Sequence, residues 1–140
     1  MKYTDFFVEG KVKGKARPRV TMLGGHARAY TPKPTKEYED AIAKAYRAAG
    51  GEMFPAGIPL HIIIVAYIAP PASASKKEKE RLLEARIPVK KPDIDNIAKV
   101  VLDALTGVAY EDDSRVADLL IHKRYAEHDG LKVVISDGSL

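Results

Sequence analysis

Lys91-Pro-Asp-Ile-Asp-Asn-Ile-Ala-Lys-Val-Val-Leu-Asp-Ala-Leu-Thr-Gly107 is the stretch from which the fold is read. Within and just past it, Ile97, Val100, Val101, Ala104, Leu105 and Val108 recur at i, i+3, i+4, i+7 spacing, which draws one apolar stripe along a helix. Gly107 supplies the stop. Asp93 and Asp95 stand just ahead of the stripe, after a proline that disfavours helix at Lys91. A helix with a single apolar stripe needs a layer to cover, and the flanking sequence supplies strands.

Upstream, Leu60 to Ile68 is nearly continuous in isoleucine and valine and predicts a central strand buried on both faces. Pro70-Pro71 stop it, and Ser75-Lys-Lys-Glu78 is a capping-box pattern opening a polar helix to about Arg86. Further back, Thr35 is the expected cap of a helix through about Ala49, with Tyr38, Ala41, Ile42, Ala45 and Tyr46 on one face and Gly50-Gly51 after it. Tyr3 to Val8 reads as a strand. Arg19 to Leu23, Gly24-Gly25 and His26 to Tyr30 read as a hairpin, the glycines supplying positive φ. Downstream, Arg115 to Tyr125 and Leu131 to Ser136 read as a second hairpin about Asp129-Gly130. Strands and helices mix without regular βαβ alternation. The expectation is α+β: a single domain over residues 1–140, with a mixed β-sheet packed against two main helices.

A chain of 140 residues, 46% hydrophobic and 30% charged, is long enough to bury a core without staples. It has no cysteine, which excludes disulfides and thiolate zinc sites. Met1-Lys2-Tyr3-Thr4-Asp5 has no apolar signal core, and the run Ile62 to Ile68 is too short to span a bilayer. A soluble, cytoplasmic protein without membrane partners is expected. The net charge of +4 is unevenly spread. No acid lies between Glu9 and Glu37, while Lys11, Lys13, Lys15, Arg17, Arg19, Arg28, Lys33 and Lys36 are basic. Glu111, Asp112, Asp113 and Asp118 then form an acidic stretch. Basic surface beside acidic pocket suits an enzyme that grips a polyanion and holds a divalent cation; a solvated lysine-rich surface is the plainer alternative.

Asp93 and Asp95 admit two readings. Aspartates before a helix commonly cap it. Alternatively, side chains two residues apart in extended chain point the same way, and two adjacent carboxylates call for a cation, with Mg²⁺ or Mn²⁺ suiting hard oxygen donors. An EF-hand is excluded, because Ala98 and Ala104 occupy its glycine and glutamate positions. Asp112 and Asp113 follow a helix that spans roughly 18 Å, so they join the first pair only if the chain turns back after Gly107. Lys99, one turn after Asp95, faces the same side, either for phosphate or for an ion pair with Asp95 or Asp103. Asn96 caps the helix or orients a carboxylate. Tyr30, Tyr67, Tyr110 and Tyr125 suit either the core or stacking on unpaired bases. The four histidines show no metal spacing.

Three blocks, Lys91-Pro-Asp-Ile-Asp-Asn-Ile-Ala-Lys99, Leu102-Asp-Ala-Leu-Thr-Gly107 and Glu111-Asp-Asp113, together resemble the signature of the RusA family of Holliday junction resolvases, small endonucleases often carried by phages and prophages. The likeness is close over residues 91–125 and looser at Gly14-Lys-Ala-Arg-Pro-Arg19, Tyr30-Thr-Pro32 and the central strand. It implies a Mg²⁺-dependent endodeoxyribonuclease (Mn²⁺ serving as well) that resolves four-way DNA junctions in recombination and repair, without a small-molecule cofactor. By the same resemblance Asp93, Asp95 and Asp113 bind the metal and Lys99 is catalytic; Asp112 is the position most easily confused with Asp113. Lys13, Lys15, Arg17, Arg19, Lys90 and Lys91 are then expected on DNA phosphates. The resemblance also implies a homodimer, with Leu60–Ile68 or Val116–Ile121 as candidate interface segments. The long basic and glycine-bearing segment before Tyr30 departs from some members of the family.

Overall fold

A computed structural model describes residues 1–138. The strands β1 (Tyr3–Glu9), β4 (Leu60–Ile68), β5 (Val116–Tyr125) and β6 (Gly130–Ser136) form one mixed sheet in the order β1-β6-β4-β5. β6 is antiparallel to both β1 and β4, and β5 is parallel to β4. The strands β2 (Arg19–Leu23) and β3 (His26–Tyr30) make a separate two-stranded ribbon. The helices are α1 (Lys33–Ala48), α2 (Lys76–Ala85) and α3 (Ile94–Leu105). This is the expected α+β domain, with α1 and α3 as its main helices.

Alternation along the strands sets the layers. Leu60, Ile62, Ile64, Ala66 and Ile68 are buried, as are Phe6 and Val8 on β1 and Leu131, Val133 and Ile135 on β6. All of these but Ile68 meet Ile42 and Tyr46 of α1 and Ile97, Val100, Val101, Ala104 and Leu105 of α3 in one core. The stripe seen in the sequence is therefore the buried face of α3. The other face of β4, carrying His61, Ile63, Val65 and Tyr67, is only half-buried, which corrects the expectation of burial on both sides. A strand in a two-layer domain has a single covered face; here the isoleucines on the other side remain partly exposed.

Two further expectations are corrected. β5 and β6 are not a hairpin, because β4 inserts between them and hydrogen-bonds to both. Local turn signals cannot reveal an intervening strand from elsewhere in the chain. Thr35 does not cap α1: the helix begins at Lys33, with Pro34 in the first turn, where its missing N–H costs nothing, and Thr35 is buried. The Ser75 cap is as expected, its hydroxyl accepting from Glu78 N–H at 3.1 Å. Among the described residues no helix is long and apolar enough to cross a membrane.

Candidate active site

The first turn of α3 begins at Asp93, whose backbone is extended while its carbonyl accepts the first helical bond from Ile97 N–H at 3.0 Å. The Asp93 carboxylate makes no capping hydrogen bond, so the capping role falls to the backbone alone. The side chain instead meets Lys91 Nζ at 3.2 Å, with both groups substantially exposed. Such a pair contributes only ~0–1 kcal/mol and is readily exchanged for another cation. Asp95 lies in the same turn and Lys99 one turn later, both exposed. Neither has an ion-pair partner among the described residues. The positive end of the α3 dipole favours negative charge on this turn.

Beyond α3 the chain does fold back. Gly107, at φ +79°, takes the left-handed conformation that glycine adopts without a Cβ penalty, and its N–H donates to the Tyr110 carbonyl at 2.7 Å. Tyr110 is buried, and its hydroxyl donates to the Leu102 carbonyl at 2.8 Å, one turn before the end of the helix. It is thus a core tyrosine and not a stacking surface. Burial pushes the Tyr110 hydroxyl up; the Thr106 hydrogen bond opposes this, and the nearby charges of Asp113, Asp103 and Asp112 add to it. The chain after Gly107 therefore turns back against the C-terminal end of α3, at Leu102 and Thr106.

Within the acidic pair the two aspartates differ. Asp112 accepts the Ser114 N–H at 3.0 Å and caps the short 3₁₀ turn Asp113–Arg115. Hydrogen bonds from Ser114 hold its carboxyl below the usual range. Asp113 has no hydrogen-bonded or ion-paired partner among the described residues and is exposed. Among the described residues no three acidic or histidine side chains are grouped tightly enough to hold a metal ion. Asp93, Asp95 and Asp113 supply hard carboxylate oxygens, engaged among the described residues only at Asp93, by exposed Lys91, and this donor chemistry suits Mg²⁺ or Mn²⁺.

The N-terminal basic segment lies across the start of α3. Val12 is anchored in the core, and Lys15 N–H donates to the Asn96 carbonyl at 2.8 Å. The crossing is close: a Cβ on Gly14 would lie 2.8 Å from Asn96 Cβ. Lys11, Gly14, Lys90, Lys91, Asp93 and Asn96 line the resulting open cleft of about 620 Å³. Lys13, Arg17, Arg19, Lys90 and Lys91 are exposed, as phosphate contacts require.

Lys15 departs from that set. Its ammonium lies 3.0 Å from Glu39 of α1 and 3.1 Å from Asp103 of α3, with the Lys15 and Glu39 side chains only 11% and 10% exposed. Burial works to lower its pKa, but the hydrogen bonds and charges of the two carboxylates prevail and raise it. Lys15 is a structural cation, and Asp103 pairs with it and not with Lys99. The sequence carried a signal for this: Glu39 falls on the buried face of α1 beside Tyr38, Ile42 and Ala43, where a lone acid needs a partner.

The family model described as Endodeoxyribonuclease RusA matches residues 9–136. The chain is also 33% identical over 137 residues to the uncharacterized protein YqaN of Bacillus subtilis (strain 168), covering 96% of each.

Proposed function

The chain belongs to the RusA family of endodeoxyribonucleases, enzymes that hydrolyse DNA phosphodiester bonds, and from that premise we propose that it resolves four-way junctions in recombination and repair, with Asp93, Asp95 and Asp113 holding Mg²⁺ or Mn²⁺ and Lys99 serving catalysis. The observation that carries this reading is the junction of two features at one helix end. The basic cleft opens onto Asp93 at the start of α3, where the Asp93 and Asp95 carboxylates are free of capping bonds.

The roles follow from the chemistry of hydrolysis. A carboxylate-held divalent ion supplies an activated water and polarises the phosphate. Lys11, Lys90 and Lys91 draw the DNA backbone into the cleft and hold it by charge, without reading sequence. Lys99, exposed on the same side of α3 as Asp95, is placed to neutralise charge developing on the phosphoryl oxygens. Asn96 is fixed by Lys15 N–H at its carbonyl, so the turn bearing Asp95 is held in register with the basic segment. Calorimetric titration of Mn²⁺ tests the metal assignment without relying on activity. Wild type should bind the ion, and the Asp93→Asn, Asp95→Asn and Asp113→Asn variants should each lose most of the affinity. Unchanged binding in all of them would overturn it.

Paired cuts on opposing strands of a near two-fold junction call for two sites, which a homodimer supplies. Of the two candidate interface segments, Leu60–Ile68 is paired on both sides within the sheet, whereas Val116–Ile121 belongs to the edge strand β5 and exposes Leu119 and Leu120. An apolar edge strand favours pairing with a second copy. Light scattering at micromolar concentration should return twice the chain mass, falling to the chain mass in Leu119→Lys/Leu120→Lys.

A further inference from the structure

The β2–β3 ribbon stands apart from everything the core explains. Neither strand contributes a buried residue. Its turn, Gly24-Gly25, has φ of +57° and +80°, the paired left-handed conformation that suits the twist of a tight hairpin. Directly opposed residues on an antiparallel ribbon share a face. Arg19 with Tyr30, Thr21 with Arg28 and Leu23 with His26 make one face. Val20 with Ala29 and Met22 with Ala27 make the other, which is wholly apolar. On it Val20 and Met22 are 68% and 66% exposed, and the two alanines opposite leave them protruding. A two-stranded ribbon is marginal by itself in water, so one built this way is completed by what it binds.

Charge selects the occupant. The ribbon sits in the acid-free stretch between Glu9 and Glu37, and Arg19, Arg28 and His26 line its polar face. A second copy of the same basic ribbon would be repelled, whereas a polyanion is attracted. A closed duplex presents phosphates and groove edges but keeps its base faces covered by stacking. A branch point uncovers base faces, and an apolar wedge is the chemistry that covers them. The ribbon combines both recognition elements back to back.

Resting on the junction-resolving reading above, we propose that the β2–β3 hairpin is the branch-reading arm of the enzyme: Arg19 and Arg28 lie on the phosphate backbone, while Val20 and Met22 on the opposite face cover base faces exposed where the strands exchange. The arm thereby separates a branched substrate from linear DNA. The active-site cleft, built to bind phosphates, cannot make that distinction.

The test compares wild type with Val20→Ser/Met22→Ser, and with Met22→Ser alone, in the full chain. Each is titrated with a synthetic four-way junction and with linear duplex of the same sequence, with 2-aminopurine placed at the branch. Folding is checked by circular dichroism and thermal melting, which should not change because the ribbon buries nothing. The double variant should bind the junction at least about ten-fold more weakly, the scale of one lost stacking contact. Its duplex affinity should change less than about two-fold, within the range of an ordinary surface substitution. Met22→Ser should fall between. Wild type should raise the 2-aminopurine fluorescence and the double variant should not. Equal losses on both DNAs, or none, overturn the proposal. So does a double variant that turns monomeric by light scattering, since the ribbon would then belong to a protein interface. A wild type that binds both DNAs alike instead overturns the junction reading itself.

Discussion

Lys15 Nζ lies 3.0 Å from Glu39 Oε2, joining the N-terminal segment to α1, while its backbone N–H holds Asn96 on α3 at 2.8 Å. One residue thus ties together the basic segment and the two main helices, and the link meets α3 at Asn96, next in sequence to Asp95. The stability and the activity of the enzyme are both expected to depend on it.

Lys15→Met removes the only ammonium between Glu39 and Asp103 among the described ion pairs. Leaving the buried Glu39 carboxylate unpaired should destabilise the fold by about 3 kcal/mol, the lower end for a broken buried pair because Asp103 is partly exposed. Urea unfolding should show a lower midpoint with an unchanged slope. Adding Glu39→Gln to Lys15→Met should recover part of the loss. A single variant as stable as wild type would make the triad incidental.

The pH dependence has a defined sign. The folded-state pKa of Lys15 is raised above its unfolded value of 10.5, so its contribution is fully present below that value and is lost as pH rises through the higher folded value. The stability difference between wild type and Lys15→Met should therefore stay flat from about pH 6 to 9 and shrink only in the alkaline range above 10.5. A difference that shrank near neutrality would point to another group.

Asp93→Asn, Asp95→Asn and Asp113→Asn should each abolish cleavage while junction binding survives or tightens, because each change removes a charge proposed to hold the metal that also repels phosphate. Asp112→Asn should be milder for cleavage, since its carboxylate is already engaged by Ser114 N–H at 3.0 Å. The readout is single-turnover cleavage beside binding in Ca²⁺. Near wild-type cleavage by any of the first three would remove that residue from the ligand set.

Lys99→Ala should fold normally, bind junctions and lose most activity, since Lys99 is exposed on the side of α3 away from Ile97, Val101 and Leu105. A drop in the turnover rate with unchanged junction affinity is the expected pattern. Full activity would leave it an ordinary surface lysine.

Much of this was legible in the residues alone. The stripe from Ile97 to Leu105 is the buried face of α3, and Gly107 marks its end, because period and helix stop are local properties. The Gly24-Gly25 ribbon was legible for the same reason. What escaped depends on contacts distant in sequence. The insertion of β4 between β5 and β6 leaves no trace in either strand. Lys15 looked like one more basic residue in a basic run until Glu39 and Asp103, 24 residues away and further, closed around it. Proline hid the start of α1, since Pro34 reads as a breaker but is at home in a first turn.

Cleavage of a synthetic four-way junction, beside a flap and a linear duplex of the same sequence and with or without Mg²⁺, tests the central claim most directly. The account predicts symmetric paired cuts in the junction that require the divalent ion, vanish in Asp93→Asn, and are absent from the linear duplex. Equal cutting of flap or duplex, or junction cleavage that persists in a chelator, would contradict it.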